Sequence, residues 1–257
     1  LPTTKSIAVA GKGGTGKTTI AALITRYLLS TKTGPILVID ADPDANLGKM
    51  LGTGSDRHIS ALREDLLKEI KNFPAGMTKA AYMEAGLHEA ITESTGFDLL
   101  TMGRGEGPGC YCYLNSLIRK FSDDLAPSYS WIVMDNEAGL EHISRRTTRN
   151  IDVLIAVVTE NPLSFDTAKN IEAITHEIKN GIRHKCIVSN MVRPEKLDIV
   201  KKRLADHPFE YVGNVARDAV LEDAVFNGEN LLKLAESPAI NDIAKIMTHI
   251  GGYYAAT

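Results

Sequence analysis

The stretch Gly11-Lys12-Gly13-Gly14-Thr15-Gly16-Lys17-Thr18, followed by Thr19, concentrates residues suited to anion chemistry. Glycines let backbone N–H groups wrap a polyphosphate, an ammonium at Lys17 neutralises its outer phosphates, and the Thr18 hydroxyl is a ligand for Mg2+. Two motifs fit these residues. Read as Gly11-x-Gly13-x-x-Gly16, with Asp40 further on, the stretch is a dinucleotide fingerprint; read as Gly11-x-x-x-x-Gly16-Lys17-Thr18, it is a P-loop. The second reading explains more, because a dinucleotide loop has no use for the Lys-Thr pair. Gly13, Gly14, Thr15, Gly16, Lys17, Thr18 and Thr19 are therefore expected to bind a nucleotide's phosphates, with Lys17 also serving catalysis.

A P-loop needs an acidic partner for its metal. Trp131-Ile-Val-Met-Asp135 supplies an apolar run ending in a carboxylate, and Asp135 is expected to hold Mg2+ through its water shell. Hydrolysis also needs a group that orients water, and Asp40-Ala-Asp42-Pro-Asp44-Ala-Asn46 places three acids and an amide in one short segment. For any one of them a capping or turn role is the alternative. Elsewhere Cys110-Tyr-Cys112 offers two thiolates to one soft metal, which leaves a zinc site half built. A twofold dimer would supply four thiolates, tetrahedral for Zn2+ or square-planar for Ni2+. Burial as small apolar side chains is the competing role for these two cysteines, and the favoured one for Cys186 inside an apolar run.

Positioning these groups requires strands that end where the chemistry begins. Short β-branched runs at Ser6 to Ala10, Ile36 to Asp40, Phe97 to Met102, Trp131 to Asp135, Val153 to Val158, Cys186 to Ser189 and Glu210 to Gly213 predict strands buried on both faces. Helical periodicity covers Lys17 to Leu29, Ala61 to Ile70, Lys79 to Thr92, Asp166 to Lys179, Glu195 to Ala205 and Ser237 to Ile250, with Pro74, Pro162, Pro194 and Pro208 as boundary marks. The alternation predicts an α/β fold, a mostly parallel sheet with helices on both faces, and with the glycine loop it reads as one P-loop domain over residues 1–257.

The 257 residues are 44% hydrophobic and 24% charged, which excludes disordered, collagenous and coiled-coil classes. A net charge of -3 gives no global pull towards nucleic acid or an anionic membrane, and neither is expected as a partner. Three cysteines are too few for a disulfide framework, and no early apolar segment reads as a signal peptide, so a reducing cytoplasm is the expected setting.

With Lys12 inside the loop, Lys-Gly-Gly-x-Gly-Lys-Thr is the deviant Walker A pattern, and the chain resembles the MinD/ParA-type ATPases. That resemblance implies ATP-dependent homodimerisation, with Lys12 reaching the partner's nucleotide and acting in catalysis. It also implies that Asp42 orients the attacking water, that Asn46 lies near metal and phosphates, that Gly139 of Asp135-Asn-Glu-Ala-Gly139 contacts the γ-phosphate, and that Asn190 reads the adenine edge. Gly107-Pro-Gly-Cys110-Tyr-Cys112-Tyr, together with Met134-Asp-Asn-Glu-Ala-Gly-Leu-Glu-His142, is further similar to the CooC-type nickel-insertion ATPases. That likeness implies an ATP-hydrolysing dimeric metallochaperone using ATP/ADP and Mg2+, with Ni2+ (or Zn2+) on Cys110 and Cys112 and a client such as carbon monoxide dehydrogenase or acetyl-CoA synthase. The alternatives are a positioning or partition ATPase, which would need neither cysteine, and an iron-sulfur electron-transfer ATPase.

Overall fold

The computed structural model describes residues 4–54, 58–62, 85–103, 125–137, 151–176 and 181–255. Its centre is β1 (Lys5–Gly11), whose residues alternate between two cores: Ile7 and Val9 face one, Ala8 and Ala10 the other. Period-2 alternation with both faces apolar is what a strand covered by helices on both sides requires. The same logic gives β2 (Ile36–Asp40) and β5 (Trp131–Asp135), every residue of which is buried. The outer strands are β3 (Ile91–Ser94), β4 (Phe97–Thr101), β6 (Ile151–Val158), β7 (Ile182–Val192) and β8 (Glu210–Ala216).

These eight strands form one sheet in the order β3-β4-β2-β5-β1-β6-β7-β8, parallel except for β3 on β4. The chain leaves β1 towards β2 on one side, whereas β6 leads on to β7 on the other. The order therefore reverses beside β1, and ligands of open α/β sheets sit at such a reversal, beyond the carboxyl ends of the strands.

Helix α1 (Lys17–Ser30) buries Ile20, Leu23, Ile24 and Leu28, a stripe at helical spacing pressed on the first core. Each such side chain contributes about 2 kcal/mol by leaving water. The short α2 (Leu47–Met50) packs beside it. On the opposite face, α3 (Pro162–Thr175) and α4 (Pro194–Leu204) cover the second core, each opening with proline at its first turn, where the missing N–H costs nothing. Helix α3 starts earlier than Asp166 because Asn161 caps it, its side chain accepting from the Leu163 N–H at 3.0 Å. Helices α5 (Ala219–Phe226) and α6 (Pro238–Ala255) return to the first core, where α6 buries Ile243, Ile246, Met247 and Ile250. No described helix is long and apolar enough to cross a membrane.

The helix expected over Lys79 to Thr92 is corrected at its end. Residues 85–89 are helical, but Ile91–Ser94 is an antiparallel edge strand joined to β4 through the two-residue turn Thr95-Gly96, where Gly96 has φ +86°. Of the helix expected over Ala61 to Ile70, residues 61 and 62 are helical and the remainder lie outside the described residues. Helix α5 was not expected, and β7 is considerably longer than Cys186 to Ser189.

Candidate functional site

At the carboxyl end of β1 the backbone turns through positive-φ conformations that residues with a Cβ rarely adopt. Gly14 and Gly16 lie at φ +79° and +83°, and a Cβ on Gly11 would stand 2.6 Å from the Val157 carbonyl. Thr15 closes the turn, its N–H and its hydroxyl both donating to the Lys12 carbonyl, at 3.2 and 2.8 Å. Gly16 then opens α1 with no side chain capping it, so the N–H groups of the first helical turn face whatever the loop holds. Gly13 and Gly14 are exposed, Lys12, Thr18 and Thr19 are half-buried, and the Lys17 side chain is buried at the helix start. The Thr19 hydroxyl faces the Met50 sulfur at 4.0 Å, which turns it towards α2.

Two further strands bring carboxylates to the same edge. Asp40 ends β2, Asp135 ends β5, and the two are register partners, with Val9 of β1 on the other side of Asp135. Both are fully buried. Asp40 accepts from the backbone N–H of Leu47 at 2.9 Å and of Asp42 at 3.2 Å, and so closes the loop carrying Asp42, Asp44 and Asn46. Burial pushes its carboxyl up to about 6 against these two hydrogen bonds. Asp42 is half-buried and its Oδ1 accepts from the Asp44 N–H at 3.0 Å, an Asx turn that fixes the carboxylate; Ala45 follows at φ +50°. Asp44 and Asn46 are exposed.

Asp135 is different: neither of its oxygens has a hydrogen bond of regular geometry. Burial, first of all, pushes its carboxyl up to about 7; the neighbouring Thr18 hydroxyl and Lys17 oppose the shift, and the charges of Asp40 and Asp42 add to it. A buried carboxylate without a hydrogen bond of regular geometry, beside a threonine hydroxyl, suits Mg2+, which takes oxygen ligands and retains several waters. Among the described residues no group of three or more His, Cys, Asp or Glu side chains is placed to hold a metal by itself.

Asn190, at the end of β7, is buried with its Nδ2 donating to the Thr15 carbonyl at 2.9 Å. The structure thus gathers Lys12, Lys17, Thr18, Asp42, Asp135 and Asn190 around one sheet edge. Sequence reasoning counts Asp40 among the acids beside the loop and Asn136 within the Asp135-to-Gly139 pattern, but assigns neither a role in the site. Asn136 is buried, with its N–H and its side-chain amide both donating to the Val9 carbonyl at 3.0 Å, which ties the segment after β5 to β1. Its position directly after a strand-ending Asp was the available signal. Gly139, Cys110 and Cys112 lie outside the described residues. Cys186 is buried in the sheet, where burial pushes its thiol up to about 11, as an inert core residue requires.

A parallel sheet with a glycine loop and Lys-Thr at its order reversal defines a P-loop nucleotide-binding protein. More narrowly, the CobQ/CobB/MinD/ParA nucleotide binding domain matches residues 6–232, and the chain belongs to that family. It is 38% identical to an uncharacterised ATP-binding protein of Methanocaldococcus jannaschii, over 95% of this chain and 96% of that one. It is 30% identical to the carbon monoxide dehydrogenase accessory protein CooC of Rhodospirillum rubrum, over 93% of this chain and 92% of that protein. The MinC:MinD cell division protein complex of Aquifex aeolicus has a chain of the same fold, with a TM-score of 0.69 at 20% identity over 96% of both chains.

Proposed function

We propose that residues 1–257 form one P-loop ATPase domain that works in the reducing cytoplasm as a Mg2+-dependent switch. Its nucleotide cycle controls a homodimer, and the dimer carries nickel on paired Cys110 and Cys112 for insertion into a nickel enzyme such as carbon monoxide dehydrogenase or acetyl-CoA synthase. The observation that carries the nucleotide chemistry is the orphaned carboxylate of Asp135 beside the P-loop. The nickel cargo is supported by the Cys-x-Cys spacing and by the 30% identity to CooC.

In this reading Lys17 and the first N–H groups of α1 bind the β- and γ-phosphates, and Thr18 and Asp135 hold Mg2+. When bound, the ion supplies charge stabilisation on the phosphate oxygens. Asp42, oriented by its Asx turn, uses Oδ2 to accept a hydrogen bond from water and aligns it with the γ-phosphate. Lys12 crosses to the partner's nucleotide and neutralises charge that develops in the transition state, while Asn46 and Gly139 contact the phosphates and Asn190 the adenine edge. Exposure of Gly13 and Gly14 is compatible with a second copy closing over the loop.

The test is ATP turnover and molecular mass, with ADP and with a non-hydrolysable ATP analogue. Wild type should hydrolyse ATP and dimerise with the analogue; Lys17→Ala should lose nucleotide binding; Lys12→Ala should bind nucleotide but lose dimerisation and most turnover. A Lys12→Ala protein that hydrolyses ATP at the wild-type rate would contradict the proposal.

A further inference from the structure

Among the described residues, the Asn190 side chain holds the phosphate loop from outside. The Thr15 carbonyl can only accept, so the atom of Asn190 facing it is the amide nitrogen, and this 2.9 Å bond joins residues 175 positions apart. Gly16 abuts the same amide: a Cβ there would collide with Nδ2 and would approach the Met191 methyl group to 3.9 Å. The backbone of β7 is shaped for this contact. Cys186 and Val188 face the core beneath α1, Ile187 and Val192 the opposite one, and the register against β8 shifts between Asn190 and Val192. Met191, at φ +55°, takes up the extra residue. Asn190 continues the Cys186 and Val188 alternation on the α1 side of the sheet, and the bulge at Met191 returns Val192 to the other.

Because a trans peptide directs its C=O and its following N–H in opposite directions, fixing the Thr15 carbonyl towards Asn190 turns the Gly16 N–H the other way, into the loop. We infer that Asn190 is a positioning residue of the phosphate loop, which sets the Thr15–Gly16 peptide for polyphosphate binding whether or not a base is present. The inference rests on the nucleotide reading above and goes beyond a base-edge role, which would use the oxygen and the second N–H of the same amide. One side chain then joins the base end of the site to its phosphate end.

A base-free ligand separates the two roles. Calorimetric titrations with Mg-ADP and with Mg-tripolyphosphate would be made on wild type, Asn190→Asp and Asn190→Ala, with ligand-free melts to verify that each variant is folded. Asn190→Asp keeps the shape but turns an acceptor towards an acceptor; Asn190→Ala removes the contact without burying a charge and serves if the first variant does not fold. Both ligands should bind about tenfold more weakly to the folded variants, as loss of a buried hydrogen bond at the loop implies. Wild-type affinity for tripolyphosphate in a folded variant, with ADP binding alone reduced, would overturn the inference and leave Asn190 a base reader only. Wild type binding neither ligand would instead overturn the nucleotide reading itself, and the positioning role with it.

Discussion

Asp40 and Asp135 are neighbours across the β2–β5 ladder, both fully buried, yet only Asp40 has its oxygens occupied. The pairing divides labour. Asp40 spends its acceptors on the Asp42 and Leu47 N–H groups and shapes the loop, whereas neither oxygen of Asp135 accepts a hydrogen bond of regular geometry. Burial raises both carboxyls, the charge of Asp42 adds to the shift of Asp40, and the charges of Asp40 and Asp42 add to that of Asp135, so a cation at this edge is favoured.

Stability of the ligand-free protein should therefore depend on this pair. Burial raises the folded-state values from 3.8 to about 6 for Asp40 and about 7 for Asp135. Groups that hold their protons more tightly when folded stabilise fully below the unfolded value, and that contribution is lost as pH rises through the folded one. Melting temperatures of wild type and Asp135→Asn, measured from pH 5 to pH 8, should show wild type losing ground to the variant as pH increases. A difference independent of pH would mean that Asp135 titrates normally.

The same substitution should separate stability from function. Asp135→Asn removes a buried unpaired charge and should leave the ligand-free fold at least as stable at pH 8. It should also abolish the gain in nucleotide affinity that Mg2+ brings. Titration of ADP with and without Mg2+ checks this, and an undiminished Mg2+ effect would remove Asp135 from the metal site.

For Asp40 the expectation is reversed. Asp40→Ala leaves the Asp42 and Leu47 N–H groups without their acceptor and should cost about 2 kcal/mol of stability at pH 8. It should also slow ATP turnover by releasing Asp42. Urea unfolding and turnover measured on the same preparation would reveal both, and a variant as stable as wild type would show that the loop does not depend on Asp40.

How far the sequence carries these conclusions depends on range. Strands β1, β2 and β5 are legible because apolar runs bounded by Gly11, Asp40 and Asp135 coincide with double-sided burial. The P-loop is legible because its chemistry is contiguous. Strand β3 was hidden: Leu87 and Ala90 extend a helical pattern up to Ile91, and a four-residue, half-exposed edge strand has too few side chains to announce itself. Helix α5 buries only Leu221 and Ala224; its sequence signal was Asp218, whose carboxylate accepts from the Val220 and Leu221 N–H groups. The grip of Asn190 on Thr15 is a tertiary contact between distant segments, which no local pattern encodes.

In the proposed cycle, nucleotide state and nickel occupancy are coupled through a dimer. Anaerobic nickel titration of the reduced protein, with no nucleotide, with Mg-ADP and with Mg-ATP, would follow the thiolate-to-nickel charge-transfer absorption and molecular mass together. One nickel per dimer is expected, with an affinity that changes with the nucleotide and is lost in the Cys110→Ser, Cys112→Ser double variant while ATP binding persists. Stoichiometric nickel retained by that double variant, or no nickel bound by a wild-type protein that still dimerises with ATP, would contradict it.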